Sequence, residues 1–561
     1  MNAASRVPIA GLPTGVRGLD EVLGGKGLPE YSFNLIAGPP GSGKTTLAQQ
    51  IMFANATEER PAIFFTVLGE PALKMIRYMQ QFSFFDPHKV EKAVRFVNLS
   101  DEALSQNLEK VLERIVAEVT ASNAGIVIVD SFRTVIPTVS QASQNTVELF
   151  VQRLALHLTS WQATTFLIGE YSKDETRDNP VFTVADSLIW IWQSVEGNSV
   201  IRRMQIAKMR GRSPRPGLHT FRISSDGIEV FPRMARTEQA TSFSSLGPTR
   251  VSTGVGGLDE MMGGGYVPAS SALIAGPAGS GKTVLATHFV AEGAAQDEAS
   301  VVAIFEEHPN EYIRRAAALG FDLDKLIRDG KLKIVYLRLI DLSVDETLHR
   351  ILAAIDEVGA KRLVIDSLSG LEMALAPAFQ QDYREALYRM VGHLTGSGIT
   401  VVMTCEVAES FTDMRFTPHA ISFLTDVIIV QRYVELEGHL KRVMAIVKMR
   451  NSGHSDELRW YEIGAKGIDI GPPVSRYRGV ITGIPEAIER ERTSHPGLNL
   501  HELLVLQALI AIGPASLAAV SERVPLEREE LMAALARLQS LHYAEEQETP
   551  TGVLYRIGKL A

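Results

Sequence analysis

The sequence predicts an α/β protein with two tandem copies of a phosphate-loop domain, each built on a mostly parallel sheet, followed by a small helical domain at the C-terminus. Three observations lead to this fold class. Short apolar runs alternate with helical patterns, which is typical of parallel sheets flanked by helices. Nearly identical glycine-rich stretches occupy residues 36–45 and 274–283. The motifs around them recur in the same order, with an offset of about 238 to 240 residues.

Length and composition limit the number of domains and the classes of function that the chain can have. A chain of 561 residues is too long for one hydrophobic core and suggests about two to four domains. Its apolar runs are shorter than a membrane helix requires and its N-terminus lacks a signal-peptide pattern, so we expect a soluble cytoplasmic protein without membrane contact. A single cysteine, Cys405, excludes an internal disulfide and a cysteine-rich zinc cluster. The formal net charge of −9 offers no overall attraction for nucleic acid.

The internal duplication defines the domains. Residues 14–20 (TGVRGLD) match residues 253–259 (TGVGGLD), and both continue into a phosphate loop. The other matched segments are GIVIVDS and KRLVIDS at 125–131 and 361–367, TTFLIGE and TVVMTCE at 164–170 and 400–406, IAKMR and IVKMR at 206–210 and 446–450, and GIEV and GIDI at 227–230 and 467–470. We predict a first domain over residues 1–231, a linker over 232–248, a second domain over 249–485 and a tail over 486–561.

Both glycine-rich stretches have the pattern Gly-x-x-x-x-Gly-Lys-Thr after an apolar run, the context of a nucleotide-binding loop. Glycines let successive backbone N–H groups face phosphate oxygens, and the next helix adds its positive dipole end. Lys44 and Lys282 are expected to reach the β- and γ-phosphates, and Thr45 and Thr283 to offer hydroxyls to magnesium. The alternative is a plain glycine-rich turn. The predicted nucleotide-binding residues of the loops are Gly41, Ser42, Gly43, Lys44, Thr45 and Thr46, with Gly279, Ser280, Gly281, Lys282, Thr283 and Val284.

Two aspartates end matched apolar runs downstream of the loops. Asp130 closes IVIVD and Asp366 closes LVID. A carboxylate at a strand end beside a phosphate loop is the second part of a nucleotide site, where it holds magnesium directly or through water. An aspartate that only caps the following turn is the alternative reading. Recurrence of the residue in both copies favours magnesium.

A glutamate pair follows the strand after the second loop. Glu306 and Glu307 come directly after VVAIF, where a carboxylate could accept a proton from the attacking water or hydroxyl. Glu306 is also a candidate magnesium ligand, whereas two solvated surface glutamates are the alternative. An ungapped alignment places Leu68 and Gly69 at these positions in the first domain, with Glu70 one residue further on. Glu70 is therefore the catalytic candidate of the first domain, which otherwise would bind nucleotide and hydrolyse it slowly or not at all.

Matched Lys-Met-Arg triplets end an apolar strand in each domain. Lys208 and Arg210 match Lys448 and Arg450. Side chains two apart on a strand share a face, so each triplet is expected to present two cations together. In an assembly such cations could reach the γ-phosphate of a neighbouring subunit. Solvated charges at a sheet edge are the alternative.

The tandem loops, the TGxxGLDE openings, the glutamate pair, the VDS and IDS strand ends and both KMR triplets together resemble the KaiC family of circadian clock ATPases and autokinases, over roughly residues 10–485. The resemblance implies RecA-like domains stacked as a double ring of six subunits, with ATP between subunits. It implies that the first ring is chiefly an ATPase and that the second phosphorylates its own hydroxyl residues. It also implies that Ser452 and His454 border the nucleotide.

The phosphoacceptor segment of that family resembles residues 416–429, FTPHAISFLTDVII. Thr417 and Ser422 match its hydroxyl positions, whereas Phe423 stands where the family has an adjacent threonine. Phenylalanine cannot accept phosphate, so a cycle on adjacent serine and threonine cannot occur here. Phosphorylation of Ser422 alone stays compatible with the sequence.

The tail predicts three helices, at 501–513, 516–524 and 526–543, and a hairpin over 549–558, an arrangement similar to a winged helix. DNA binding would suit such a fold. However, residues 501–548 contain eight glutamates against three arginines and no lysine, which would repel phosphates. We therefore expect the tail to dock a protein signalling partner or to cap the oligomer.

The leading hypothesis is a homohexameric ATPase that uses ATP and Mg²⁺ and signals through nucleotide-dependent shape and Ser422 phosphorylation. The first alternative is a nucleic-acid motor of the same fold, but residues 132–145 and 368–381, the expected central loops, carry one arginine and no lysine. The second alternative is a scaffold that binds ATP only in order to assemble.

Overall fold

The fold is known from a computed structural model of the chain, which forms two compact units, residues 1–474 with 481–484 and residues 475–480 with 485–561. The structure describes residues 9–67, 72–104, 108–135, 144–172, 174–175, 179–196, 199–234, 250–337, 342–375, 377–380, 383–407, 424–436, 438–450, 452–475, 477–478, 486–487, 498–550 and 552–558.

The first domain contains a nine-stranded sheet in the order β11-β10-β9-β8-β3-β7-β6-β4-β5, and β1 pairs separately with β2. Its described strands are β1 (Gly11–Leu12), β2 (Leu28–Pro29), β3 (Phe33–Gly38), β4 (Ala62–Thr66), β5 (Val94–Asn98), β6 (Ile126–Asp130), β7 (Thr164–Glu170), β8 (Ser187–Glu196), β9 (Ser199–Met209), β10 (His219–Ser224) and β11 (Gly227–Phe231). Its described helices are α1 (Leu19–Val22), α2 (Lys44–Asn55), α3 (Ala72–Met79), α4 (Ser100–Leu104), α5 (Leu108–Ser122), α6 (Phe132–Val135), α7 (Gln144–Ser160) and α8 (Pro180–Val184), with a 3-10 turn at Pro87–Lys89.

The second domain repeats this plan with a nine-stranded sheet in the order β14-β13-β15-β16-β12-β17-β18-β19-β20. Its described strands are β12 (Ser271–Gly276), β13 (Ser300–Ile304), β14 (Leu332–Tyr336), β15 (Arg362–Asp366), β16 (Thr400–Glu406), β17 (Val427–Leu436), β18 (His439–Met449), β19 (Arg459–Gly464) and β20 (Gly467–Pro473). Its described helices are α9 (Gly256–Met261), α10 (Lys282–Ala295), α11 (Pro309–Ala317), α12 (Leu323–Arg328), α13 (Val344–Val358), α14 (Leu368–Ala374), α15 (Pro377–Gln380) and α16 (Tyr383–Gly396). The shared strand order confirms the predicted class of tandem RecA-like domains.

The central strands of each sheet are apolar at successive positions, so apolar side chains lie on both faces of the sheet and both faces are buried. Leu35 and Ala37 of β3 pack into the hydrophobic core on one face of the sheet, whereas Ile36 packs into the core on the other face. In β12, Leu273 and Ile274 divide between two cores in the same way. Parallel strands covered by helices on both faces need this continuous apolar character.

The direction of the strands decides which residues share an edge of the sheet. In the first domain β5, β4, β6, β7, β3 and β8 run parallel, so their carboxyl ends form the edge that carries the phosphate loop. Strand β9 runs antiparallel to β8, and its last residue, Met209, pairs with Ser187 at the start of β8. The end of β9 therefore lies at the opposite edge. The second domain has the same arrangement, with Met449 paired to Val427.

The two domains are in contact within the first unit. Arg222 of β10 donates from Nε to the Glu346 carboxylate of α13 at 2.6 Å, and the Thr220 and Ser343 hydroxyls lie 3.0 Å apart. Glu346 also accepts from Arg350, and its side chain is only 3% exposed. A buried carboxylate shared by two arginines thus joins the domains. Residues 235–249, most of the predicted linker, lie outside the described part of the chain.

The second unit contains a short pair of strands and a small helical domain. Its elements are β21 (Tyr477–Arg478), β22 (Glu486–Ala487), α17 (Leu500–Ile512), β23 (Ala515–Ser516), α18 (Leu517–Ser521), α19 (Arg528–Ser540), β24 (Ala544–Thr549) and β25 (Gly552–Ile557). Strands β23, β25 and β24 form a three-stranded sheet in that order, packed with the helices around one core. The predicted winged-helix-like arrangement is present, although the helix predicted over 516–524 covers only five residues.

None of the described helices combines the length and the apolar character that a membrane crossing requires.

Candidate functional site

Both phosphate loops lie between a central parallel strand and the first turn of a helix. Helices α2 and α10 begin at Lys44 and Lys282, directly after Gly43 and Gly281, whose φ angles are 100° and 101°. A side chain is strained at such angles, and a Cβ on Gly281 would lie 2.7 Å from a methyl carbon of Ile463. The sequence therefore needs glycine here to turn the backbone N–H groups toward a ligand at the helix N-terminus.

The loop lysines are folded back over their own loops. Lys44 Nζ donates to the Pro39 carbonyl at 2.8 Å, and Lys282 Nζ donates to the carbonyls of Gly276 and Pro277 at 2.9 and 2.8 Å. Burial lowers the pKa of both lysines, and nearby carboxylates oppose that effect. Each lysine thus lies against the carbonyls at the start of its own loop, and its contact with the β- and γ-phosphates stays a prediction.

In the first domain the predicted magnesium residues are in direct contact. Thr45 Oγ1 donates to Asp130 Oδ2 at 2.6 Å, which joins the first turn of α2 to the end of β6. Magnesium prefers oxygen ligands and usually completes its shell with phosphate oxygens and water. A hydroxyl and a carboxylate at this distance fit that ion. In the second domain Thr283 is the second residue of α10, and the Asp366 carboxylate at the end of β15 accepts from Thr404 Oγ1.

A cavity of about 540 Å³ adjoins the first-domain loop. Its polar side contains Thr45, Asp130, Arg133 and Glu170. Its apolar side comes from β4 and α3 and includes Met75. This volume is in the range of small-molecule sites, which are typically 300–1,000 Å³.

The glutamate pair of the second domain lies beside the Asp366 turn. Glu306 Oε1 accepts from Ser367 Oγ at 2.9 Å, and its charge acts on Lys282. Glu307 is paired with Arg315 of α11. Burial raises the pKa of Glu307, while Arg315 opposes the rise. A carboxylate that protonates at a higher pH than usual beside a phosphate loop has the character of a general base.

The strand registers locate the corresponding positions in the first domain. Thr66 pairs with Asp130 as Ile304 pairs with Asp366, so Thr66 and Ile304 are equivalent. The residues two and three positions further on are Glu306 and Glu307 in one domain but Leu68 and Gly69 in the other. Leu68, Gly69 and the candidate Glu70 lie outside the described residues.

The cations of both KMR triplets lie at the sheet edge away from their own phosphate loop. Lys208 Nζ donates to the carbonyls of Phe182 and Thr183 at 3.2 and 2.9 Å, and Arg210, one residue beyond β9, pairs with Asp186 at 3.2 Å. Asp186 in turn accepts from the backbone N–H of Phe33, the first residue of β3. The loop follows the last residue of β3, so about 16 Å of strand separates this pair from the loop.

The second domain has the same pattern. Lys448 Nζ donates to the Thr425 carbonyl at 2.5 Å, and Arg450 lies 3.8 Å from Asp426. Burial is the main cause that lowers the pKa of Lys448, and the charge of Arg450 adds to it.

Ser452 and His454 continue from the same edge. Ser452 Oγ accepts from Arg250 at 2.6 Å, and His454 Nδ1 lies 2.9 Å from the Ser455 carbonyl. The hydroxyl candidates Thr417 and Ser422 lie outside the described residues.

Three polar residues that lie near the phosphate loops were not among the predicted site residues: Glu170, Glu406 and Arg133. Glu170 and Glu406 end matched strands beside the loops and act electrostatically on Lys44 and Lys282. Their recurrence at matched strand ends could have identified them. Arg133 lines the first-domain cavity and has Ser369 at the equivalent position of the second domain. A residue present in only one copy gives no such signal.

Comparison with known proteins gives one consistent family. The family model described as ATPase: KaiC matches residues 12–235 and again residues 251–475. The circadian clock oscillator protein KaiC of Rippkaea orientalis is 30% identical over 487 residues, which cover 85% of this chain and 91% of that protein. Proteins of the same name from Synechococcus elongatus and Prochlorococcus marinus are 29% and 28% identical, over 88% and 86% of this chain and 95% and 97% of their own length. Residues 476–561 lie outside the two family matches.

Proposed function

The chain belongs to the KaiC ATPase family, and on that premise we propose that it is a magnesium-dependent, hexameric signalling ATPase of the clock type with two unequal rings. The proposed difference between the two rings rests on one observation. Glu306 and Glu307 adjoin the Asp366 turn beside the second loop, whereas Leu68 and Gly69 hold those positions in the first domain. The second domain then performs most of the hydrolysis, and the first chiefly binds ATP.

Each residue of the second site would have a separate role in ATP hydrolysis. Lys282 compensates the charge of the phosphates, and Glu306 accepts the proton of the attacking water as the new O–P bond forms and ADP leaves. Glu307, held by Arg315, is the second candidate for that proton. Thr283 and Asp366 would hold magnesium, which when bound neutralises phosphate charge. In the first domain Thr45 and Asp130 would hold it.

The position of the KMR cations supports an assembly. Lys448 and Arg450 lie at the edge opposite to their own loop, as do Lys208 and Arg210, so within one subunit they are too far from the nucleotide. In a ring of identical subunits, the same edge can face the loop of the neighbour. Cations delivered in this way stabilise the charge that develops on the transferred phosphoryl group. Ser452 and His454 would border that shared nucleotide.

We further propose that the second ring phosphorylates its own Ser422, with Thr417 as a second acceptor. The acceptor hydroxyl would replace water as the nucleophile at the same γ-phosphate. Phe423 restricts the cycle to separated sites. The acidic tail would present the ring to a protein signalling partner, since its excess of glutamate disfavours nucleic acid.

Intact mass measurement of the full chain after incubation with ATP and magnesium, combined with phosphosite mapping and phosphate release, tests this function. We expect phosphate release together with a mass increase by phosphate that maps to Ser422, with Thr417 as the second acceptor. The phosphate on Ser422 should disappear in Ser422→Ala. Phosphate release without any mass increase would contradict the kinase part. The absence of both would contradict the enzyme assignment.

A further inference from the structure

Arg133 lines the first-domain cavity and forms a charged clamp with Glu175. Its guanidinium donates two parallel hydrogen bonds to the Glu175 carboxylate, from NH1 at 2.7 Å and from NH2 at 2.9 Å. It also donates to the Glu170 carbonyl and lies 5.4 Å from the ring centre of Tyr171. Glu175 is anchored in turn by the Ser172 backbone N–H at 2.9 Å. The cation is thus held at the end of β7 by one carboxylate that belongs to the following segment.

The same cavity contains the predicted magnesium residues. Arg133 lines it together with Thr45 and Asp130, three residues away in the chain from Arg133. The Thr45 hydroxyl and the Asp130 carboxylate, which are hydrogen-bonded to each other at the end of the loop, indicate where the phosphates would bind. Arg133 therefore lies at the same edge of the sheet as the phosphate loop of its own subunit, whereas Lys208 and Arg210 lie at the opposite edge.

The two domains differ at this position. Ser369 is the counterpart of Arg133, and its hydroxyl contacts the backbone N–H of Glu406, as Arg133 contacts the carbonyl of Glu170. The second domain, which has the glutamate pair, therefore has the small neutral Ser369 at this position. The first domain, which has Leu68 and Gly69 in place of that pair, has the cation Arg133.

We propose that Arg133 binds the γ-phosphate of a nucleoside triphosphate in the first domain and that Glu175 is the counter-ion it leaves on binding. This inference rests on the proposed binding of nucleotide by that domain. The planar guanidinium fork matches a carboxylate and a phosphate with the same paired geometry, so one ligand can replace the other. A diphosphate lacks the group that would compete with Glu175. The clamp therefore distinguishes ATP from ADP.

Binding of Mg·ADP and of slowly hydrolysed Mg·ATPγS to the full chain, with Lys282→Ala present to weaken the second site, tests this proposal. A hydrogen bond to a charged group contributes enough for about a tenfold or larger change in affinity. We expect Arg133→Ala to weaken ATPγS binding by that factor and to leave ADP binding unchanged. Glu175→Gln removes the competing charge, so it should increase the preference for ATPγS over ADP. Arg153→Ala, which removes a cation paired with Glu109 on the surface, is the control and should change neither affinity.

The opposite directions of the two variants separate a phosphate contact from a structural ion pair. If the pair only stabilises the local fold, Arg133→Ala and Glu175→Gln will weaken both nucleotides alike, and the inference is wrong. An unchanged ATPγS affinity in Arg133→Ala would also overturn it. If ADP binds but neither nucleotide is preferred, the inference fails while the proposed function stands. If no nucleotide binds to the first domain, both fail.

Discussion

Replacing Glu306 with glutamine removes a single charge from the second site and leaves the surrounding structure in place. Glutamine has the same size, and its carbonyl oxygen can still accept the Ser367 hydroxyl that lies 2.9 Å from the native carboxylate. What is lost is the base and its charge next to Lys282. A positioned general base contributes about 10²- to 10⁴-fold to a rate. We therefore expect steady-state phosphate release by the second domain to fall about 100-fold or more.

The assay is phosphate release from the full chain under saturating Mg·ATP, with Mg·ADP binding measured in parallel. ADP binding should be retained, because Glu306 acts on the attacking nucleophile and not on the loop. Glu311→Gln, which alters an exposed glutamate of α11, is the matched control and should keep the native rate. The remaining rate would report the first domain. A rate of Glu306→Gln within about twofold of the native rate, with Glu307→Gln equally unaffected, would refute the assignment of the base, given the size of general-base effects.

Two further substitutions test the electrostatics of the second domain. Arg315→Ala removes the cation that holds down the pKa of Glu307 while the burial that raises it remains, so the pKa of Glu307 should rise further. If Glu307 is the base, the acidic limb of the kcat profile moves to higher pH, whereas an unmoved limb assigns the base to Glu306. Glu346→Gln removes the charge of a carboxylate that is 3% exposed. The substitution should lower the free energy of unfolding, measured with urea, by about 2 kcal/mol. This is less than the cost of breaking a fully buried ion pair, because Arg222 is partly exposed to water. Glu385→Gln, in an exposed ion pair, is the control and should cost less than about 1 kcal/mol; equal costs for the two would contradict a structural role of Glu346.

The duplicated domains and their phosphate loops could be predicted because their signals are local and repeated. Glycines at positive φ, the lysine at the helix start and the aspartate at a strand end follow from short-range backbone and charge requirements. Comparing the copies then identified the unequal glutamate positions. The family match over residues 12–235 and 251–475 confirms the resemblance on which the assembly hypothesis was based.

What the sequence could not reveal depends on strand direction and on long-range contacts. The apolar pattern of β9 predicts a strand, but it does not indicate that this strand is antiparallel, and only the direction places Lys208 at the edge away from its loop. The bidentate contact of Arg133 with Glu175 joins the four-residue helix α6 to the segment after β7, and neither is long enough to give a periodic signal. The middle helix of the tail covers only Leu517–Ser521, although backbone hydrogen bonds of the helical turn continue to Val524, so the end of this helix differs from the predicted one.

In the proposed ring, each nucleotide site is completed by the neighbouring subunit. Two variants with inactive second sites test it when they are mixed: Glu306→Gln with Glu307→Gln, which retains Arg450, and Arg450→Ala, which retains the glutamates. If the cation acts across the interface, a ring assembled from equal amounts should regain about a quarter of the native second-domain rate, because half of the sites keep the glutamates and half of their neighbours supply the arginine. A mixture that hydrolyses ATP no faster than the two separate variants would contradict the claim.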